Sequence, residues 1–191
     1  MTAVKLSDMM KKRQLLSFEL FPPKTDRGMT NLSETIQQLC RYKPEYISVT
    51  YGAGGGNVGA NRQVCRMVRN AGAVPVTHFT VIRNTKQGIR EQLETYLKEG
   101  VDHILALRGD FPRGETTTGG DFNYATDLVK FIRDEFGEQF EIAVAGSPEG
   151  HISCRSLEAD IGVLKMKQDN GADYIMTQLC WDMEQFERWL D

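Results

Sequence analysis

The chain alternates between short apolar runs and longer amphipathic stretches. Six runs have the length of β-strands and an almost continuous apolar character, which is typical of strands buried on both faces of a parallel sheet. They span 15–21, 46–51, 74–79, 103–107, 140–145 and 174–179. Between these runs, apolar residues recur every three or four positions and predict helices with one apolar face. Examples are 29–39, 128–136 and 157–164.

Glycines punctuate this alternation. Gly72, Gly100 and Gly171 each stand shortly before a predicted strand, where a helix is expected to end in the left-handed conformation. Strict alternation predicts parallel strands joined by right-handed crossovers, either in a closed barrel or in an open doubly wound sheet. Hydrophobic periodicity does not decide between these two architectures.

Length and composition fit one globular domain spanning 1–191, with 40% hydrophobic and 26% charged residues. The 23 basic and 26 acidic residues are scattered, so no nucleic-acid or anionic-lipid partner is expected. No apolar run approaches the roughly 20 residues of a membrane helix, and the first residues lack an apolar signal segment. We therefore expect a cytoplasmic protein without a membrane partner.

The four cysteines are dispersed without a Cys-x-x-Cys motif, which favours a reducing compartment over a disulfide scaffold. His151, Cys154 and Cys180 could meet at one rim of a barrel and bind a metal. Because they form no tight motif, the grouping is more simply explained by chance, and we predict no metal site.

Unusual polar residues stand at or just beyond the carboxyl end of almost every predicted strand. They are Glu19, Thr50, His78, Arg108 with Asp110, His151 and Gln178. In a barrel of parallel strands these ends open onto one mouth, which is where such folds carry their chemistry. The positions therefore predict an active site.

Glu19 stands in an apolar strand, where burial among Phe18, Leu20 and Phe21 would raise its pKa and suit it to donate a proton near neutral pH. The alternative is a structural acid held in a salt bridge. After the fourth strand, Gly109 would let the backbone approach a flat ligand. Its neighbours Arg108 and Asp110 carry opposite charges that could set the electronics of a bound ring system.

Two glycine-containing loops are expected to be flexible: 51–57 and 111–122. The first lacks both the Walker ending and the dinucleotide glycine spacing, so a loop over the mouth is favoured over a phosphate cradle. Asp160 and Lys167 lie seven residues apart on one face of a predicted helix. Periodicity alone leaves open whether this pair is functional or simply solvated.

Six short motifs follow one another along the chain, each at a strand end: SFELFPPK (17–24), SVTYGA (48–53), HFT (78–80), ALRGD (106–110), PEGH (148–151) and TQ (177–178). The series resembles the ordered motifs of the methylenetetrahydrofolate reductase family, from about Leu15 to the last residue. The resemblance implies a (β/α)8 TIM-type barrel, of which this chain would hold about six strand–helix units and would be incomplete at its C-terminal end.

The resemblance also implies a function. The family passes hydride from NAD(P)H through FAD to 5,10-methylenetetrahydrofolate, giving 5-methyltetrahydrofolate, with both substrates taking turns on one flavin face. Glu19 would be the general acid that helps open the folate's five-membered ring, Asp110 would tune the flavin and pterin, and Gln178 would bind the folate. The positions matching the FAD site are Thr50, His78, Arg108, Gly109, Asp110, Tyr124, Ala125, His151, Asp160 and Lys167.

The chain departs from this pattern on the flavin side. Ser147 stands where bacterial relatives commonly have tyrosine, and Val163 and Met166 stand where they have asparagine and arginine. These departures imply weaker, rearranged or partner-dependent flavin binding, and leave FMN open as the cofactor. The alternatives are a non-catalytic or partner-dependent subunit of a folate redox complex, and a flavin barrel acting on another imine-like substrate. An incomplete barrel would expose apolar sheet edges, so closure by a homo-oligomer or a partner subunit is expected unless the chain is a fragment.

Overall fold

A computed structural model describes residues 5–51, 58–111 and 114–191. Six strands form one parallel sheet: β1 Ser17–Leu20, β2 Tyr46–Val49, β3 Val74–Thr80, β4 His103–Leu107, β5 Glu141–Gly146 and β6 Tyr174–Thr177. Seven α-helices are described: α1 Leu6–Met10, α2 Asp26–Cys40, α3 Val58–Asn70, α4 Lys86–Lys98, α5 Ala125–Phe136, α6 Leu157–Asp169 and α7 Met183–Leu190. A short 3-10 helix, Gly137–Gln139, follows α5.

The strands lie in sequence order, β1-β2-β3-β4-β5-β6, and every neighbouring pair is parallel. A doubly wound sheet would reverse its strand order at a switch point. Order without reversal is that of a TIM barrel, and the sheet curls into the corresponding half-barrel. The predicted barrel-type fold is therefore confirmed, and the doubly wound alternative is wrong.

All six predicted strands are present, and β4 agrees with its prediction at both ends. Three strands were predicted too long: β1, β2 and β6. β2 was predicted over 46–51 and ends at Val49. β1 ends at Leu20, and the next residue, Phe21, is 70% exposed. β6 ends at Thr177, although its apolar run was predicted to continue to Leu179, which is 80% exposed. Apolar residues continue past the last paired residue, because backbone pairing and not apolar character determines where a strand ends.

The helix ends follow the glycine signals. Gly72, Gly100 and Gly171 have φ angles of 94°, 72° and 107°, which confirms the left-handed conformation predicted there. Among the described helices, none combines the length and the apolar character needed to cross a membrane.

Side chains alternate between two faces of the sheet. On the outer face, strand residues such as Ile47, Ile104 and Val144 pack with buried helix residues such as Val64 and Leu128 into the larger core cluster. The inner face is defined by a second cluster that includes Val76, Leu105 and Ala143, against which Tyr46 and Met176 pack. The inner face of a barrel is where strand side chains converge.

Helix α1 covers the inner face at the amino ends of the strands. Leu6 is fully buried in the inner cluster, and its main-chain N–H donates to a carboxylate oxygen of Glu141 at 2.7 Å. The main-chain N–H of Ser7 donates to the other oxygen at 2.9 Å. Glu141 is also paired with His103, whose Nε2 lies 3.0 Å from it. The opposite end, where the carboxyl ends of the strands meet, is called the mouth below.

Candidate active site

Several predicted site residues share the inner face at the mouth. Glu19 is in register with Ser48, and Ser48 follows the inner-face residue Tyr46 by two positions. By the same alternation, His78 follows Val76 on the inner face. At the far edge of the sheet, the N–H of Gln178 donates to the carbonyl of Gly146 at 2.9 Å, just beyond β6. The topology thus brings Glu19, His78 and Gln178 to one curled surface.

Glu19 does not have the environment expected for it. Its side chain is 49% exposed, so the predicted burial is wrong. Alternation turns Phe18 and Leu20 to the outer core, while Glu19 faces inward from β1, which has β2 as its one strand neighbour among the described residues. Its Oε2 atom lies 3.5 Å from the Ser48 hydroxyl and 3.6 Å from His78 Nε2. Glu19 is therefore an accessible inner-face acid beside a histidine.

His78 is a neutral histidine at physiological pH. Its side chain is 12% exposed, and burial lowers its pKa to about 4. The contact with Glu19 is therefore not an ion pair at pH 7, because the imidazole carries no charge there. His78 Nε2 is buried and has no hydrogen-bond partner among the residues that the structure describes. Such a group has unused capacity to bond a ligand at the mouth.

The Arg108–Asp110 segment leaves the sheet at the mouth. Gly109 has a φ angle of 87°, and a Cβ atom there would lie 2.6 Å from Ile82 Cγ1. Close packing against the exit of β3 and the left-handed backbone therefore both require glycine here. The Arg108 guanidinium stacks on the Phe111 ring, with 4.4 Å from Cζ to the centroid. Asp110 is exposed.

Asp160 and Lys167 are not a solvated surface pair. Asp160 is 7% exposed, and its carboxylate accepts hydrogen bonds from the main-chain N–H of His151 at 2.9 Å and the Cys154 thiol at 3.4 Å. Lys167 Nζ donates to the carbonyl of Ala145 at 2.8 Å, and burial lowers the pKa of its ammonium group. Helix α6 thus connects the end of β5 to the loop that carries His151.

A surface cavity of about 370 Å³ opens beside the loop that carries His151. Its lining comprises Glu149, Gly150, His151, Ile152, Cys154, Ser156, Leu157 and Gln185. Two of its lining residues, His151 and Cys154, are the ones that contact the buried Asp160.

The remaining predicted residues lie around the same edge. Thr50 is half-buried, and its N–H donates to the carbonyl of Leu20 at 2.9 Å. Tyr124 caps α5, is 62% exposed, and precedes Ala125, the first helical residue. The departures differ in exposure: Ser147 and Val163 are half-buried, whereas Met166 is 51% exposed. Nothing in the structure explains these three substitutions.

Two polar helix and loop residues at the mouth were missed from the sequence. Tyr51 donates its hydroxyl hydrogen to Gln92 at 2.9 Å, and Gln92 donates to Asn84 at 2.9 Å. Asn84 in turn donates to the carbonyls of Thr80 and Ile82. This relay ties the end of β2 to the exit of β3. The available signal was Gln92, an amide within the half-buried stripe of α4.

Of the two loops predicted to be flexible, the first, 51–57, lies outside the described residues at 52–57.

The cysteines have separate surroundings. All four are free thiols, and the Cys180 thiol donates to the carbonyl of Asp182 at 3.3 Å, whereas Cys154 contacts Asp160. In the ranges 5–51, 58–111 and 114–191, no group of three or more His, Cys, Asp or Glu side chains is arranged to hold a metal.

Comparison with known proteins shows which family the chain is similar to. The family model described as methylenetetrahydrofolate reductase matches residues 5–191. The chain is 37% identical over 188 residues to methylenetetrahydrofolate reductase (NADH) 1 of Arabidopsis thaliana, covering 92% of this chain and 32% of that protein. It is 36% identical over 177 residues to 5,10-methylenetetrahydrofolate reductase of Escherichia coli, covering 92% of this chain and 58% of that protein.

A solved structure shares the fold at low sequence identity. It is an uncharacterised protein from Clostridium thermocellum, described as binding two copies of 5-methyl-5,6,7,8-tetrahydrofolic acid. The TM-score is 0.64 at 11% identity, over 95% of this chain and 60% of that one. The chain thus spans less than two thirds of the length of each of these relatives.

Proposed function

Because the chain belongs to the methylenetetrahydrofolate reductase family, we propose that it acts in reducing 5,10-methylenetetrahydrofolate to 5-methyltetrahydrofolate, with NAD(P)H as donor and FAD as carrier. The observation that carries this proposal is the inner-face contact of Glu19 with the neutral His78, at the same mouth as Arg108, Asp110 and Gln178. This arrangement supplies an accessible acid, an imidazole whose Nε2 has no hydrogen-bond partner in the described part of the chain, and opposite charges around one concave surface.

The residues at the mouth fit a flavin. His78 Nε2 is buried, uncharged and unpartnered within the described ranges, which suits a polar ring system better than an anionic group. On this proposal, Thr50, His78 and the Arg108–Asp110 segment would hold the ring. The remainder would be held by Tyr124, Ala125, His151, Asp160 and Lys167, of which His151 lines the cavity of about 370 Å³. When bound, FAD would supply a two-electron carrier between the nicotinamide and the folate.

Glu19 would deliver the proton that this chemistry needs. Opening the folate's five-membered ring breaks a carbon–nitrogen bond and leaves the electron pair on nitrogen, so a proton must reach that nitrogen. Glu19 is 49% exposed on the inner face and can reach a ligand there. Its neighbour His78 is uncharged at pH 7, because burial lowers the pKa of the imidazole to about 4. Gln178 would orient the folate from the opposite edge of the sheet.

An absorbance spectrum tests the proposal. The purified chain, reconstituted with FAD and freed of unbound flavin, is expected to show flavin bands that bleach when NAD(P)H is added without oxygen. Adding methylenetetrahydrofolate should restore them. A colourless protein that retains no added FAD would contradict the proposal, and FMN retained in preference to FAD would correct the cofactor.

A second candidate is a partner-dependent subunit of a folate redox complex. It is favoured by the apolar residues exposed along the β6 edge: Ile175 (43%), Leu179 (80%), Trp181 (84%) and Met183 (58%). Exposed apolar patches of this kind are typical of interfaces. This candidate predicts self-association or capture of a partner, with turnover only in the complex. Steady turnover by a chain that sediments as a monomer would exclude it.

A further inference from the structure

Asn61 is a fully buried amide on α3 that none of the steps above uses. Its Nδ2 group donates one hydrogen bond to the carbonyl of Val49 at 3.0 Å and a second to the carbonyl of Thr50 at 3.1 Å. β2 ends at Val49. Asn61 therefore holds both carbonyls at the point where the chain leaves the sheet for the mouth.

The oxygen of the same amide faces two other elements. Asn61 Oδ1 accepts hydrogen bonds from the Thr77 hydroxyl at 2.8 Å and the Tyr96 hydroxyl at 2.6 Å, and the Cys65 thiol lies 3.5 Å away. Thr77 directly precedes His78 in β3, and Tyr96 lies in α4. One side chain thus connects the end of β2 with the strand that carries His78.

Only an amide can make this set of bonds. Asparagine has two N–H donors and an acceptor oxygen in one planar group, whereas aspartate has no donor when ionised and leucine has neither. A buried polar group is costly to place in an apolar layer unless all its bonds are made. Here both donors and the acceptor are satisfied, so the group is rigidly held.

We propose that Asn61 is a positioning residue for the flavin site, because it fixes the carboxyl end of β2 and with it the side chain of Thr50. This inference rests on the proposed function, in which Thr50 and His78 contact the flavin. The two donor bonds set the backbone at Thr50, whereas the acceptor bonds satisfy the amide oxygen within the buried layer. Removing the donors frees the end of β2 while leaving the chemistry of every flavin contact intact.

The test compares Asn61→Ala with two matched controls, Thr77→Val and Tyr96→Phe. Each control removes one donor to Asn61 Oδ1 from the same buried network but leaves both carbonyl bonds in place. The FAD dissociation constant of each protein is measured by quenching of flavin fluorescence, and stability is measured by urea unfolding of the flavin-free chain. The two readouts separate positioning of the site from general loss of packing.

Asn61→Ala is expected to weaken FAD binding about tenfold or more, since small displacements of positioning groups have large effects. The controls are expected to lose stability but to change the dissociation constant by less than about threefold, because they keep both bonds from Asn61 to the carbonyls of Val49 and Thr50. If Asn61→Ala does not fold, Asn61→Thr is measured instead. Its hydroxyl can replace only one donor bond, so it should weaken binding more than either control.

The outcomes distinguish failure of the positioning role of Asn61 from failure of the proposed function. If the unmutated chain binds FAD and the Asn61 variants lose affinity only as much as controls of equal stability, the positioning role is overturned and the proposed function stands. If the unmutated chain binds no flavin, the proposed function fails, and the positioning role fails with it.

Discussion

The carboxyl group of Glu19 has one chemical task in the proposed reaction, which is to donate a proton during folate reduction. Glu19→Gln keeps the shape and the contacts with Ser48 and His78 but removes the acid. We expect flavin reduction by NAD(P)H to continue, and folate reduction to fall by about 10²- to 10⁴-fold. Stopped-flow absorbance measures the two half-reactions separately.

Glu34→Gln is the matched control, because Glu34 is an exposed acid of α2, a helix whose buried face packs into the outer core cluster. It should leave both half-reactions unchanged. Equal losses in both half-reactions of Glu19→Gln would show that Glu19 shapes the site without acting as the acid.

At the level of single residues, the sequence predicted that Glu19 and His78 lie at the same end of the sheet but not how exposed each side chain is. Position at the carboxyl ends of strands was sufficient to place Glu19 and His78 at one mouth. The expected burial of Glu19 was wrong because the two faces of the strand were not separated, whereas Phe18 and Leu20 pack in the outer cluster and Glu19 faces inward. The low pKa of His78 depends on burial by several elements, which a linear pattern does not contain.

The turn after β4 depends on a single glycine. Gly109→Ala would place a methyl group 2.6 Å from Ile82 and impose a φ of 87° on a residue with a Cβ atom. We expect the free energy of unfolding to fall by about 1–3 kcal/mol. Urea unfolding of the whole chain provides the measurement.

Gly162→Ala is the comparison within a helix. Gly162 lies in α6, and a Cβ atom there would have no neighbour within 4 Å. Because alanine favours helix over glycine, this variant should be stabilised by up to about 1 kcal/mol. If both variants behaved alike, the special conformation at Gly109 would have no energetic consequence.

Helices and strands were predictable where hydrophobic periodicity and the glycines at helix ends agree. The six strands and the glycine-ended helices were expected from periodicity, whereas the order of strands followed only from the motif resemblance, since barrel and doubly wound sheets share the same alternation. Helix α1 escaped prediction as well. It is only five residues long, and what holds it is a distant partner, Glu141, rather than a repeating apolar face.

At the scale of the whole molecule, α1 and the sheet are joined by a buried ionic network. Burial by itself lowers the pKa of His103, but hydrogen bonds with Asp102 and Glu141 outweigh burial and raise that pKa to about 9. Burial alone would raise the pKa of Glu141, yet its bonds with His103 and Ser7 lower it to about 2. The first turn of α1 therefore binds a carboxylate that is itself held by a cationic histidine.

The two shifts give this network a defined pH range. His103 has a raised pKa in the folded chain, so its contribution to stability is complete below about 6.5 and is lost as the pH rises through about 9. Glu141 has a lowered pKa, so its contribution is present above about 4.5 and is lost as the pH falls through about 2. The network should therefore stabilise the fold most between these limits, from about pH 4.5 to 6.5.

Glu141→Gln tests this coupling across the whole fold. The variant removes the charge that holds both His103 and the amino end of α1, and should lower the free energy of unfolding by roughly 3 kcal/mol at pH 6. Its stability should also vary less between pH 6.5 and 9 than that of the unmutated chain, because His103 then loses its main anionic partner. Glu138→Gln breaks only the exposed pair with Lys5 and should change stability by less than about 0.5 kcal/mol. Urea unfolding at several pH values measures these free energies. Parallel pH profiles of the free energy of unfolding for Glu141→Gln and the unmutated chain would show that α1 is held by apolar packing of Leu6 instead.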